Sequence, residues 1–406
     1  MRCILTLNAG SSSIKTSLYT VEDGAAPRLV GQVERIGAGP RLTARLAGGD
    51  SIERELDGPD ADGHAGALGA ILALVEEAVP EARIAAVAHR IVHGGPDRAE
   101  SVVLDEPTLD DLARLSPYAP LHQPHNISGA RAATAAFPDA LQVACFDTAF
   151  HRGHPWVNDT FALPRDYYAR GVRRYGFHGL SYDYISRSLA ADYPDLHEGR
   201  VVVAHLGNGA SMCGLHGGRS VASTMGFSAL DGLPMGTRSG QLDPGVLLYL
   251  MTEEGMDAAA ITDLLYRRSG LLGLSGISND MRTLERSEAP EAEEAIAYFV
   301  FRIRRELGAL AAALGGLDGL VFTGGIGENS SAIRARVCDG MDWLGIAVEP
   351  EANATGGPRL SPANGRVRVL SLRTDEESVL ARDARRHLVA RADAPTEGAE
   401  PVGRAR

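Results

Sequence analysis

Hydrophobic and polar positions alternate from Arg2 to Asn8, break at Ala9-Gly10-Ser11-Ser12-Ser13, and resume from Ile14 to Val21. That pattern predicts two strands joined by a tight turn. Further short strand-like runs fill 30–57, and a helical period covers 66–79 before Pro80 stops it. The apolar run Ile84–Val92 predicts a buried strand that ends at His93-Gly94-Gly95. Helices are predicted near 109–115 and 127–136, with the irregular Pro120-Leu121-His122-Gln123-Pro124-His125-Asn126 between them. Leu141–Phe146 predicts one more buried strand, with Asp147 at its tip.

The pattern then starts again. Val201–Leu206 predicts a strand, Gly207-Asn208-Gly209-Ala210-Ser211 a turn, and Met212–Leu215 the return strand. Helices are predicted over 244–255, 258–268, 291–314 and 376–390, and strands over 320–323 and 367–372. The tail from Arg391, rich in Ala, Pro, Gly and Glu, is predicted to fray. LNAGSSSIKTSL and LGNGASMCGLHG thus share one plan, strand–Asn/Gly/Ser turn–strand, about half a chain apart. One reading is a duplicated α/β domain with a cleft between the copies. The other is that such hairpins are common turn chemistry.

Composition narrows the function classes. A length of 406 residues suits about two domains, and 44% hydrophobic with 23% charged residues is ordinary for a soluble globular chain. A net charge of -12 argues against sequence-independent nucleic-acid binding and against an anionic membrane surface. No apolar run reaches the ~18 residues a membrane helix needs. The N-terminus enters a strand pattern directly, so no signal peptide is expected and a cytoplasmic location is. Cys3, Cys145, Cys213 and Cys338 form no CxxC pair and read as buried thiols. One imbalance stands out: of the 40 basic residues only Lys15 is lysine, and all others are arginine. A chain that accepts Arg almost everywhere keeps Lys here either by drift or because the site needs a compact ammonium.

Several stretches carry chemistry. The turn 8–15 offers backbone N–H groups, serine hydroxyls, the Asn8 carbonyl and Lys15, a set suited to phosphate oxygens and a hard cation. It lacks the GxxxxGK[ST] spacing, and a solvated hairpin stays open. Three more Gly-rich turns end strands: His205-Leu206-Gly207-Asn208-Gly209, Gly236-Thr237-Arg238-Ser239-Gly240 and Gly325-Ile326-Gly327-Glu328-Asn329, the last read as a turn preceding a helix. Four such loops in one chain favour a nucleotide or polyphosphate ligand. Arg90 at an apolar strand end, Arg238 in a Gly/Ser loop and Arg282 after Asp280-Met281 are candidate anion binders; a structural ion pair competes for each. His122 and His178 are candidate site histidines, with a core position as the alternative. Asp147 is placed as an active-site acid of an α/β protein, or as a helix cap. GxSxG, HExxH and the dinucleotide GxGxxG are absent, so hydrolase, zinc-protease and hydride-transfer readings have no support.

Together the strings LNAGSSSIK (7–15), AHRIVHGG (88–95), APLHQPHN (119–126), FDTAFH (146–151), RRYGFHG (173–179), HLGNGAS (205–211), MGTRSGQLDP (235–244), SGLLGLSGISNDMR (269–282) and FTGGIGENS (322–330) resemble the acetate kinase (acetokinase) family, in order and spacing. The resemblance implies the actin-like ATPase fold of sugar kinases, actin and heat-shock chaperones: two duplicated ribonuclease-H-like α/β domains around a nucleotide cleft. It places the first domain at 1–150 plus 378–395, the second at 151–377, and a flexible tail at 396–406. It implies reversible transfer of phosphoryl from ATP to acetate, giving acetyl phosphate and ADP, with Mg²⁺ (or Mn²⁺) and a homodimer through the second domain. A propionate or butyrate kinase on the same scaffold is the alternative, and a nucleotide-switched binding module is a more distant one.

By the same resemblance Asn8 and Glu376 are metal-associated, and Arg90 and Arg238 meet the acyl carboxylate and the transferring phosphoryl group. Asp147 is the catalytic acid, and His178, with His122 nearby, faces the transition state. Lys15, His205, Leu206, Gly207, Asn208, Gly209, Asp280, Met281, Arg282, Gly325, Ile326, Gly327, Glu328 and Asn329 contact the nucleotide. Val92, Leu121, Phe177 and Ala229 line the acyl pocket. Five positions depart from the usual motifs: Gln123 for Asn, Leu180 for Thr, Tyr182 for His, Asp375 for Asn, and Ala229 for Pro. The last is expected to widen the acyl pocket.

Overall fold

The computed structural model describes residues 1–10, 13–22 and 26–393. Ser11 and Ser12 of the first turn, the end of the first predicted domain at 394–395 and the predicted tail 396–406 lie outside the described residues.

Thirteen strands are described: β1 (Arg2–Ala9), β2 (Ile14–Thr20), β3 (Leu29–Glu34), β4 (Arg41–Leu46), β5 (Ser51–Glu55), β6 (Arg83–Ile91), β7 (Val102–Val103), β8 (Leu141–Phe146), β9 (Arg200–Leu206), β10 (Ala210–His216), β11 (Arg219–Ser223), β12 (Gly319–Thr323) and β13 (Arg368–Ser371). They form two sheets, ordered β5-β4-β3-β2-β1-β6-β8-β7 and β11-β10-β9-β12-β13. In each sheet an antiparallel three-strand meander leads on to two parallel strands: β3-β2-β1-β6-β8 in one, β11-β10-β9-β12-β13 in the other. The echo between the two Asn/Gly hairpins is therefore an echo of whole topology. This repeated order is the ribonuclease-H-like arrangement of an actin-like ATPase.

Why the central strands read as nearly continuous apolar runs follows from their position. Successive side chains of a strand point to opposite faces, and helices cover both faces here. Cys3, Leu5 and Leu7 of β1 pack on Leu68, Ile71, Leu74 and Val75 of the helix Gly63–Ala78. Ile4, one register step away, joins Val379, Leu380 and Ala384 of the C-terminal helix Glu376–Asp393. The second sheet repeats this. Val202, Ala204 and Leu206 of β9 face Phe299, Ile303 and Leu307 of the helix Pro290–Leu314. Val201 and Val203 face Tyr182, Ile185 and Leu189 of the helix Gly179–Asp192. The pattern of residues does not predict that last helix. It is rich in Ser, Tyr and Asp, which are weak helix formers, and burial on two sides holds it. Its first turn puts Leu180 into the first sheet's core and Tyr182 into the second's.

One sequence reading needs correction. Gly324–Asn329 is not a turn but a six-residue helix itself, directly after β12, and the helix expected after it follows at Ser331–Cys338. Glycine disfavours helix, but the segment is pinned: the Glu328 carboxylate accepts from the Gly324 N–H at 2.9 Å and from the Thr374 N–H at 3.2 Å. No helix of the described residues is long and apolar enough to cross a membrane.

Candidate functional site

The candidate residues gather where the parallel strands end, the usual place for a ligand crevice in α/β sheets. Asn8 ends β1, Arg90 ends β6, and Asp147 follows β8. Arg90 grips Asp147 with both arms of its guanidinium: Nε donates to Oδ1 at 3.0 Å and Nη2 to Oδ2 at 2.6 Å. Its Nη1 donates to Asn8 Oδ1 at 3.0 Å. Asn8 Nδ2 then donates to Glu376 Oε2 at 3.1 Å and Glu377 Oε1 at 3.3 Å. One chain of bonds thus joins three strand ends to the C-terminal helix. The Asp147 side chain is 2% exposed and that of Arg90 16%. Burial pushes the Asp147 carboxyl up and Arg90 opposes it. For Arg90 burial pulls down, and Asp147, Glu376 and Glu377 together outweigh it. For Glu376 burial is outweighed by Arg90, His205 and Lys15, which hold it low. Glu377 has its carboxyl raised by burial and by Glu376.

Arg238 and His178 converge from the second sheet's side. Arg238 donates from Nη1 to the Ala229 carbonyl at 2.6 Å. Among the described residues no carboxylate comes within ion-pair distance of it. Burial, with Arg90 adding to it, pulls its guanidinium down to about 10. His178 Nδ1 lies 2.8 Å from Ser211 Oγ, and its ring stacks on His205 with centroids 4.4 Å apart. A Cβ added at Gly209 would lie 2.8 Å from Arg238 Nη2 and 3.2 Å from His178 Nε2, so only glycine lets both groups close on this loop. His122 precedes the helix Gln123–Ala136, and burial together with Arg238 and Arg90 pushes it down to about 3. Arg90, Arg238, His122 and His178 therefore share one focus, whose positive charge comes from the two arginines while both histidines are held neutral.

Beside that focus opens a cleft of about 800 Å³. Gly207, Asn208, Asp280, Met281, Arg282, Gly325, Ile326 and Asn329 line it, eight of the nucleotide candidates. The remaining ones hold other places. Leu206 is a core side chain, Gly209 backs Arg238 and His178, and His205 Nδ1 is 2.8 Å from Ser181 Oγ. The carboxylate of Glu328 is spent on its own turn, and Gly327 lies beneath it, facing the Phe322 and Ala204 backbone. Met281 is buried in the core and reaches the cleft only at its edge. Arg282, exposed on the cleft wall, pairs with Asp280 through Nε–Oδ1 at 3.0 Å and Nη2–Oδ2 at 2.6 Å. Lys15 stands apart from this cleft, exposed on β2 opposite Asn8, in a second opening of about 510 Å³ that Gly31, Gln32 and Glu377 also line.

A family model for the acetokinase family matches residues 3–382. The chain belongs to the acetokinase family. An acetate kinase from Methylocella silvestris is 55% identical over 390 residues, covering 94% of this chain and 96% of that protein. One from Rhizobium meliloti is 48% identical, covering 97% and 100%. Among solved structures, an acetate kinase from Porphyromonas gingivalis superposes with a TM-score of 0.83 at 37% identity, covering 96% of this chain and 100% of that one. A propionate kinase from Francisella tularensis gives 0.87 at 33%, covering 94% and 99%.

Within the acetokinase frame the departures gain local meaning. Gln123 clamps the backbone of His93 from both sides: its Oε1 accepts from the His93 N–H at 3.1 Å and its Nε2 donates to the His93 carbonyl at 3.0 Å. Tyr182 bonds Ser211, the partner of His178. Asp375 caps the C-terminal helix by accepting from the Ser378 N–H at 3.0 Å. Leu180 is core. Val92 and Phe177 are buried in one apolar cluster on which Ala229 packs; Leu121 lies half-buried nearby in sequence to His122. Three contributors escape sequence reasoning. Asn126 ties Val92 N–H (3.0 Å) to the Ala9 carbonyl (2.8 Å), locking two strand ends together. Glu377 doubles the charge of Glu376. Arg334, fully buried, donates to the Gly327 and Glu328 carbonyls at 3.0 and 2.9 Å and so supports the short helix from below. Asn126 closes the quoted motif 119–126 and Glu377 follows the named Glu376, the only signal they offer; Arg334 offers none.

Proposed function

We propose that the site transfers the γ-phosphoryl group of ATP directly, in line, to a carboxylate oxygen of acetate. A P–O bond forms to acetate, the bond to the β–γ bridging oxygen breaks, and ADP leaves with that electron pair; the reverse runs through the same site. The observation that carries the reading is Arg238, a half-buried cation with no carboxylate partner among the described residues, set against Arg90 and His178 at the edge of a nucleotide-sized cleft. Acetate is already ionised at pH 7, since carboxyl pKa values lie near 4, so no general base is needed. The difficulty is that an anion must attack a polyanion, and positioning plus electrostatic stabilisation answer it. Arg238 and His178 would meet the transferring group and Arg90 the acetate carboxylate, with His122 beside them. Val92, Leu121, Phe177 and Ala229 would take the methyl. Asp147, engaged with Arg90, orients that arginine.

A hard divalent cation fits beside Glu376. Glu376 and Glu377 put two half-buried carboxylates side by side, and Asn8 holds both. Among the described residues no cluster of three acidic, His or Cys ligands exists, which suits an ion shared with phosphates rather than caged by protein. Asn8 and Glu376 would hold Mg²⁺ (or Mn²⁺), which would neutralise phosphate charge. The division into domains at 1–150 with 378–395 and at 151–377 belongs to the same reading, as does a cytoplasmic location, where ATP is held and where the four buried, unpaired cysteines stay reduced. So does a homodimer. The helix Pro244–Thr252 (PGVLLYLMT) is apolar yet buries nothing, leaving Leu248 64% and Met251 54% exposed, as is Phe301 at 59%. Light scattering should give twice the chain mass, and the chain mass for Leu248→Glu; a monomeric wild type would refute the dimer.

The activity is tested by trapping acyl phosphate as hydroxamate with acetate, propionate and butyrate. Acetate should be the best acceptor. ADP release without acyl phosphate would sink the kinase reading and favour a nucleotide-switched binding module. The Ala229 pocket wall adds a finer expectation: propionate should retain kcat/KM within about tenfold of acetate, and Ala229→Pro should widen the gap, since a methylene is worth ~1–3 kcal/mol in an apolar pocket. An unchanged ratio would clear Ala229 of any part in selection. Lys15→Arg should lower kcat about tenfold or more with the fold intact, because the exposed side chain supports no packing and a planar guanidinium does not replace a compact ammonium. Wild-type turnover in that variant would make the sole lysine a leftover of drift.

A further inference from the structure

His178 occupies the left-handed backbone region, φ 58° and ψ 25°, directly before the helix Gly179–Asp192. This orientation turns its two ring nitrogens to different neighbours. Nδ1 meets Ser211 Oγ at 2.8 Å, whereas Nε2 faces Gly209 beside Arg238. Ser211 Oγ also bonds the Tyr182 hydroxyl. Tyr182 and Ser211 are both fully buried, and among the described residues Ser211 is the phenol's one hydrogen-bond partner.

The protons of this chain can be counted. Ser211 has one, and two neighbours to serve. If it donates to His178 Nδ1, it accepts from Tyr182 and every O–H has an acceptor. If Nδ1 carried the proton and gave it to Ser211, Ser211 would either donate to Tyr182 and leave the phenol O–H with no acceptor, or accept from both neighbours and leave its own O–H with none; either way one buried O–H is unserved, a costly state. Burial, then His205, Arg90, Arg238 and His151, hold His178 well below the ordinary imidazole range, so at pH 7 it is neutral and owns a single N–H. Burial likewise keeps the Tyr182 phenol protonated.

We propose that Tyr182 and Ser211 form a one-way hydrogen-bond chain that fixes His178 as the Nε2–H tautomer, so that the neutral ring offers a donor, not a lone pair, to the transferring phosphoryl group beside Arg238. Tyr182 and Ser211 are positioning residues; the inference rests on the phosphoryl-transfer reading above. The acetokinase motif resembled here carries histidine at position 182. A bare ring nitrogen can accept from Ser211 without holding a proton that needs a home, so that residue leaves the chain reversible. The phenol closes the second direction.

The test is long-range proton–nitrogen NMR on the whole protein with ¹⁵N-labelled histidine, with the His178 signals identified by their loss in His178→Gln. The wild type should show His178 protonated on Nε2 alone at pH 7. Tyr182→Phe should keep that tautomer, because Ser211 still donates. Tyr182→His and Ser211→Ala should each show a population protonated on Nδ1. In kinetics, Ser211→Ala should lower kcat about tenfold or more with both KM values within about twofold, and Ser211→Thr, which returns the hydroxyl, should recover it. A wild-type His178 protonated on Nδ1 overturns the proposal without recourse to any variant. So does a single Nε2–H signal persisting in both Tyr182→His and Ser211→Ala. An Nε2–H signal in a protein that makes no acyl phosphate would leave the chain of bonds standing and remove the phosphoryl-transfer reading instead.

Discussion

Arg238→Ala should lower kcat/KM for acyl phosphate formation by about 100- to 1,000-fold while leaving the ligand-free protein as stable as before. The first half follows from charge. The transferring group carries negative charge throughout, and removing one fixed donor from such a site costs roughly 3–4 kcal/mol of barrier. The second half follows from what Arg238 lacks. Its bond is to the Ala229 carbonyl, at 2.6 Å, and among the described residues no carboxylate offsets its half-buried charge. Losing that bond costs about 1 kcal/mol, and removing an unpaired, partly desolvated cation returns a similar amount. Thermal melting should therefore shift by no more than about 2 °C without ligand, and the further stabilisation that ADP and acetyl phosphate confer should be much reduced. A variant that melts early and keeps its turnover would make Arg238 a structural residue and remove the main support for the anion site.

How far the sequence discloses this site depends on what kind of pattern each part leaves. Strands leave the clearest one. β1, β2, β8 and β9 are legible because burial on both faces demands apolar runs and the turns demand Gly and Asn. The duplicated topology is legible only as an echo, since two hairpins do not reveal the order of whole sheets. Gly324–Asn329 misleads because glycine-rich composition argues against helix, and Glu328 and Arg334 hold the segment from positions no local rule connects. Arg282 shows another limit. Its motif places it on the wall of the cleft but does not show that Asp280, two residues away, pairs with its guanidinium. The hidden part is the bonding between distant residues. His178 to Ser211 to Tyr182, and Arg90 to Asn8 to Glu376, are closed by the fold. A sequence supplies the chemical types of such a network but not which proton goes where.

Asp147→Asn should differ from Arg238→Ala in losing stability as well as activity. Asp147 is buried and takes both arms of Arg90, so the amide would set one NH₂ against a guanidinium N–H and leave Arg90 a single neutral acceptor there beside Asn8, with its charge uncompensated at that position. Breaking a buried pair by removing one partner costs about 3–5 kcal/mol; the Arg90 side chain is 16% exposed, so the low end of that range applies. Denaturant melting should show a loss of about 3 kcal/mol, and kcat/KM should fall about 100-fold because Arg90 no longer holds the acceptor carboxylate in line. The pH profile separates this account from its rival. If Asp147 removed a proton from substrate, wild-type kcat/KM would carry an acidic limb that vanishes in Asp147→Asn. If Asp147 orients Arg90, as proposed, both proteins should keep the same profile at different heights, because acetate needs no base above its own pKa. A vanished limb would turn Asp147 into a proton acceptor, and unchanged stability would mean that Arg90 finds its place without it.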